Sequence, residues 1–248
     1  MPYSKLDADK IIATAERLER RIAERFPRSS LCKVAGELTE TGRGISAEAA
    51  TIEKNDWYWR ALSLAGIAAG AAVLFLAFRF LRFDRIETGT FDILQGIDAL
   101  FNTAVLTGAG VITLMGLEQR QKRKTVLRGL HKLRSLIHII DMHQLTKDPA
   151  ALSDDFVMTE SSPLRTMTAP ELKRYLDYCS EMLSLTGKFA ALYAQTLPDM
   201  EVVNAVNDVE ALGTNLSRKI WQKIMLTGEQ GRTGTPVSSP GPVDIVTA

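Results

Sequence analysis

ALSLAGIAAGAAVLFLAF, residues 61–78, runs without a single charged side chain. At 1.5 Å per residue a helix of this length spans roughly 27 Å, close to the ~30 Å hydrocarbon thickness of a bilayer. Trp57, Tyr58 and Trp59 stand immediately before it, where amphipathic rings favour the headgroup region, and Arg60 and Arg79 bracket it with charges that can snorkel. A soluble core able to hide such a run would need more apolar sequence than the rest of the chain supplies. The run therefore predicts a transmembrane helix.

Outward from it, residues 99–117, ALFNTAVLTGAGVITLMGL, form a second uncharged stretch, interrupted by Asn102, Thr103, Thr107 and Thr113. A single crossing would leave this run without an apolar environment. The connector of about twenty residues is short enough for an antiparallel hairpin, in which each helix satisfies its own backbone. Residues 90–98 read as outer turns of the second helix. Lysine and arginine set the orientation. The connector carries Arg79, Arg82 and Arg85, against Lys54 and Arg60 before the first span and Arg120, Lys122, Arg123, Lys124 and Arg128 after the second. Both termini are expected in the cytoplasm.

The flanks read as helices. In residues 6–26, Ile11, Ala15, Leu18 and Ile22 form one stripe, ended by Pro27. From about Ser29, Leu31, Leu38, Ile45 and Ile52 recur at sevenfold spacing, with Gly42 and Gly44 as weakening points, and the helix runs almost directly into the first span. Leu127, Leu130, Leu133, Leu136, Ile137 and Ile140 continue the second span as a stripe that stops near Asp148-Pro149. Thr168 and Glu171 match a capping box. Behind it, Leu172, Leu176, Cys179, Leu183, Thr186, Ala190, Tyr193 and Leu197 step four and three as a packing seam, broken by Pro198. Asp199 can cap a last helix carrying Val202, Val206, Val209, Leu216 and Ile220, antiparallel to the one before. Glycine, serine and proline dominate from Thr227, which predicts a disordered tail.

The fold class expected is all-α: a two-helix transmembrane hairpin with cytoplasmic helical-bundle or coiled-coil segments. Its domains are 1–56 (N-terminal cytoplasmic helices), 57–118 (the hairpin, with spans at about 61–79 and 97–117), 119–226 (C-terminal cytoplasmic helices) and 227–248 (tail). The formal net charge of +1 gives no basis for nucleic-acid binding. The charged N-terminus lacks a signal-peptide core. Cys32 and Cys179, far apart, indicate neither a zinc knuckle nor a disulfide framework.

Three clusters are candidates for function. In the second span, Gln95, Asp98, Asn102, Ala109, Thr113 and Gly116 share one side, and in the first Ser63, Gly66, Gly70 and Ala77 do, with Gly66 and Gly70 a small-xxx-small pair. Such stripes face protein or water rather than lipid. They serve helix packing, or a pore with Asp98 at its outer mouth, although two spans per chain would need several copies to enclose water. Arg120, Lys122, Arg123 and Lys124 can contact anionic headgroups, at ~1 kcal/mol each, or act as a topology signal alone. His138, Asp141 and His143 form a polar cluster, but helical geometry sets His143 about 140° from His138, which favours hydrogen-bonded packing over a metal site. No nucleophile elbow, phosphate loop or carboxylate pair accompanies them, so neither a cofactor nor an enzyme is expected.

The segment HIIDMHQLTKDP, residues 138–149, resembles one found after the second span of uncharacterised bacterial two-span membrane proteins. The resemblance extends over residues 57–149 and implies no activity. The order of helix, hairpin and helices is also similar to SLATT-type two-span effector domains, associated with membrane perforation in bacterial defence. That likeness is one of layout, without a shared motif. The expectation is a multi-pass protein of the bacterial inner membrane, with lipids as partners, that self-associates as an interaction or scaffold module. The alternative is an oligomeric, ion-conducting effector.

Overall fold

The computed structural model describes residues 5–80, 90–149 and 167–233, with Val157, Thr159, Glu160 and Ser162. Arg82, Arg85 and the tail from residue 234 lie outside the described residues. The described part is all-α, without a strand: α1 (Ala8–Arg25), α2 (Ser30–Phe80), α3 (Thr90–Leu145), α4 (Ala169–Thr196) and α5 (Met200–Thr233).

Local chemistry sets the ends. Asp7 caps α1 by accepting from the Lys10 N–H at 3.2 Å, and the Phe26 N–H closes the helix on the Ile22 carbonyl before Pro27. Thr168 and Glu171 form the capping box of α4, the Thr168 N–H donating to the Glu171 carboxylate at 2.8 Å. Asp199 then starts α5 by accepting from the N–H groups of Glu201 and Val202. α5 continues to Thr233, beyond Thr227 where the composition had predicted a tail.

The helices alternate in direction. α1 and α2 are antiparallel, with Arg43 paired to Glu16 at 2.8 Å. α1 also runs antiparallel to α4: Arg21 pairs with Glu181, Phe26 meets the edges of Tyr175 and Tyr178, and Leu6 exchanges hydrogen bonds with Gln195. α4 and α5 form an antiparallel pair joined by a Ser180–Ser217 hydrogen bond of 2.6 Å. α5 lies parallel to α3, with Arg123 at Asp199 at one end and Lys223 at Gln144 at the other.

One core results. The expected stripe of α1, the sevenfold seam of α2 and the long seam of α4 are all buried, together with Val126, Leu130, Leu133, Ile137 and Ile140 of α3 and Val202, Val206, Val209 and Ile220 of α5. The buried Thr186 hydroxyl is satisfied by the Met182 carbonyl. Within the chain these seams are filled by one another. Gly42 does not break α2, because burial outweighs its low propensity. A Cβ there would lie 2.2 Å from the Phe189 ring, so α2 and α4 approach as closely as they do only without one.

Candidate functional site

Above the bundle, α2 and α3 continue as an antiparallel pair, and burial changes sharply along both. On α2, Ile45 and Ile52 are buried, whereas Leu64, Ile67, Val73, Phe75 and Leu76 are exposed; on α3, Phe101, Val105, Leu106, Ile112 and Leu117 are exposed and Val126 is buried. Among the described residues, the helical segment Phe101–Leu145 is long and apolar enough to cross a membrane, and α2 contributes the shorter apolar stretch Leu64–Val73. The side chains of Ser63 and Ala77 lie outside the described residues.

The two candidate stripes have different fates. A Cβ on Gly70 would meet Thr107 Cγ2 at 2.6 Å, and one on Gly66 would lie 3.9 Å from Val111, so the small-residue pair of α2 packs against α3. The face of α3 turned to α2 thus carries Thr103, Thr107 and Val111, all half-buried. Asp98, Asn102, Ala109, Thr113 and Gly116 are exposed, about half a turn round the helix from that face. Thr113 donates to its own Ala109 carbonyl at 2.8 Å. A Cβ on Gly116 would meet nothing within 4 Å.

The basic run divides in two. Arg120 and Lys124 are exposed, as a headgroup contact requires. Lys122 is buried and paired with Glu118 one turn before it. Arg123 bridges Asp199 and Glu201 at 2.8 Å each, tying the α4–α5 turn to α3 at the base of the hairpin. The partners of Arg123 lie 76 and 78 residues away, beyond any local charge pattern, whereas Glu118 and Lys122 form an i, i+4 pair that the sequence offers directly.

Burial pushes the Asp199 carboxyl up, but the Val202 and Glu201 N–H groups and the Arg123 charge outweigh it and hold the group below its ordinary value. A lowered folded-state value makes this contribution to stability complete above the unfolded carboxylate range, and it is lost as pH falls through the folded value. Asp199→Asn retains the cap but loses the charge, so it should lower the melting temperature at pH 7 and flatten its fall on acidification below about pH 4. Equal acid sensitivity in the two chains would show that Asp199 is not the titrating group.

His138 is exposed, His143 Nδ1 lies 2.8 Å from the Ile139 carbonyl, and Asp141 accepts from Gln144 Nε2 at 2.6 Å. The three do not converge: no group of three or more metal-ligating side chains occurs among the described residues. What the segment does is close the end of α3. Lys223 of α5 donates to the Gln144 carbonyl and to its Oε1 at 2.8 Å, and burial lowers the Lys223 pKa below its ordinary value.

Sequence reasoning passed over a cleft of about 260 Å³ between α2, α3 and α4, lined by Glu40, Ile45, Glu48, Gly129, Lys132 and Tyr193. The buried Tyr193 hydroxyl donates to Glu48, and burial, then the carboxylate, push the phenol pKa up. The signal available was Gly129 in an otherwise regular helical stripe: a Cβ there would lie 2.1 Å from the Tyr193 hydroxyl oxygen, a close approach that only glycine allows. Comparison with protein-family models, curated proteins and solved structures finds no match to this chain.

Proposed function

We propose that this chain is a non-enzymatic, multi-pass protein of the bacterial inner membrane, anchored by the α2–α3 hairpin, which self-associates and whose cytoplasmic bundle serves as an interaction or scaffold module. The observation that carries the reading is the switch from buried to exposed apolar side chains along both α2 and α3. Contiguous exposed apolar surface of this extent is rare on soluble monomers and marks an interface with lipid or protein.

Topology supports two crossings. α1, α4, α5 and the inner halves of α2 and α3 share one core, so the segments before and after the hairpin lie on one side of any membrane. If α3 crosses, α2 beside it must cross back. The exposed Trp57 lies on the bundle side of the apolar run of α2, where an indole sits well at an interface. The resemblance to two-span proteins carrying an HIIDMHQLTKDP-like segment agrees with this layout.

The test is alkaline carbonate extraction of bacterial membranes, followed by mass determination of the full chain in nanodiscs. The expected result is a pelleted, oligomeric protein. Release into the carbonate supernatant removes the anchor, and a strictly monomeric chain without a co-purifying partner removes the scaffold. The second reading, an ion-conducting oligomer, is favoured by the exposed Asp98, Asn102 and Thr113 on α3. It predicts leak from liposomes loaded with a small-ion dye that Asn102→Leu abolishes; no leak under any condition ends it.

A further inference from the structure

We infer that the cleft between α2, α3 and α4 is a binding site for a small zwitterion of the α-amino-acid class, its ammonium held by Glu48 and its carboxylate by Lys132.

The cleft exists because side chains are missing from its walls. On α2 a Cβ at Gly44 would meet nothing within 4 Å, and on α3 Gly129 admits the hydroxyl of the fully buried Tyr193. The volume left, about 260 Å³, falls below the ~300–1,000 Å³ usual for drug-sized ligands and suits a small metabolite.

Charge selects the occupant. Three charged side chains line the cleft, Glu40, Glu48 and Lys132. Glu40 is already matched, by Arg43 at 3.2 Å. Glu48 and Lys132 are not. Among the described residues neither has an ion-pair partner, and although they line one cleft they do not reach each other. Glu48 carries most of the argument, because it is half-buried and a carboxylate withdrawn from water is costly without a counter-charge. The Tyr193 hydroxyl donates to it and so holds it in place. A carboxylate has about four acceptor sites, which leaves room for an ammonium. Lys132, on the other helix, offers donors and no acceptor. A simple anion would meet Glu48 as a like charge, and a simple cation would meet Lys132 so. A molecule with both charges a few bonds apart answers both, and an α-amino acid is the smallest common one.

The position gives the site a consequence. Glu48 and Lys132 belong to the two helices that continue into the hairpin, and Tyr193 brings α4 to the same point. An occupant therefore ties α2 to α3 on the bundle side of the hairpin and stabilises the packed state by mass action. The inference goes beyond the scaffold reading and does not depend on the membrane position of the hairpin.

Thermal unfolding of the full chain in detergent, followed by circular dichroism, tests the site. The probes are the standard amino acids, added singly at millimolar concentration. For any that binds, they include its amide, which lacks the carboxylate, and its deamino acid, which lacks the ammonium. At about a hundredfold excess over Kd the amino acid should raise the melting temperature by about 5–10 °C. Amide and deamino acid should each bind at least about tenfold more weakly, since either leaves one charge of the cleft unmet. Glu48→Gln, which keeps an acceptor for Tyr193, and Lys132→Gln, a surface change, should each weaken binding about tenfold or more in a chain that still folds. Gly44→Leu, which puts a side chain into the open space at position 44, should abolish the shift with the helical signal retained. No shift with any amino acid, equal binding of the amide or the deamino acid, or an affinity untouched by Glu48→Gln and Lys132→Gln would overturn the site. Each of these results leaves the anchored scaffold standing, because carbonate extraction and mass in nanodiscs read that separately.

Discussion

Phe189→Ala is expected to lower the unfolding free energy of the full chain in detergent by about 3–5 kcal/mol, the usual cost of emptying a buried aromatic site. Phe189 is fully buried in α4, and its ring occupies the space that a side chain at position 42 of α2 would need. Gly42→Ala alone should cost about 1–3 kcal/mol, because a Cβ 2.2 Å from the ring atom forces helix or ring to shift. The two changes should not add. With the ring gone the new methyl has room, so a double-mutant cycle should show a favourable coupling of about 0.5–3 kcal/mol. Strict additivity in urea titration would mean that α2 and α4 do not meet at this pair.

Ile67→Lys separates a lipid-facing surface from a merely exposed one. Ile67 is about half exposed on α2, so in a water-soluble helix lysine there would be neutral within about 0.5 kcal/mol and would improve solubility. At the centre of a membrane helix the same charge costs about 2.5–3.5 kcal/mol of insertion free energy. The expected outcome is a clear rise in the carbonate-extractable fraction, roughly fifty- to several-hundredfold in the insertion equilibrium, with the α-helical circular dichroism of the bundle retained. Unchanged membrane retention would count against burial of this part of α2 in hydrocarbon.

Much of the helical framework was legible from local pattern. Thr168 with Glu171, and Asp199, announce helix starts because each offers an oxygen to amides at fixed short separation, whereas the Asp7 cap, inside the span read as helix from residue 6, was passed over. The stripes of α1, α2 and α4 predicted the buried positions one by one, since a 3.6-residue period puts them on a single face whatever lies opposite. Composition misled at the end of α5, where glycines after Thr227 suggested a tail but the helix continues to Thr233. The candidate clusters were legible only as lists of residues. Arg123 and Lys122 look alike in the run, yet one bridges the α4–α5 turn, 76 residues away at Asp199, and the other pairs one turn back. Within the histidine-containing segment it is Gln144, not a histidine, that meets a remote partner, accepting from Lys223 79 residues away.

The uncharged runs at 61–78 and 99–117 by themselves set where α2 and α3 are apolar, since composition needs no partner to be counted; among the described residues Phe101–Leu145 is long and apolar enough to cross a membrane and Leu64–Val73 is a shorter apolar stretch. Only the tertiary structure decided which surfaces are spent. It turned the bundle seams on one another, set Gly66 and Gly70 against α3, and left Asn102 of α3 exposed among the described residues. Periodicity states that a face must be covered; the choice of cover depends on shape and charge brought together from segments remote in sequence, which no local pattern records.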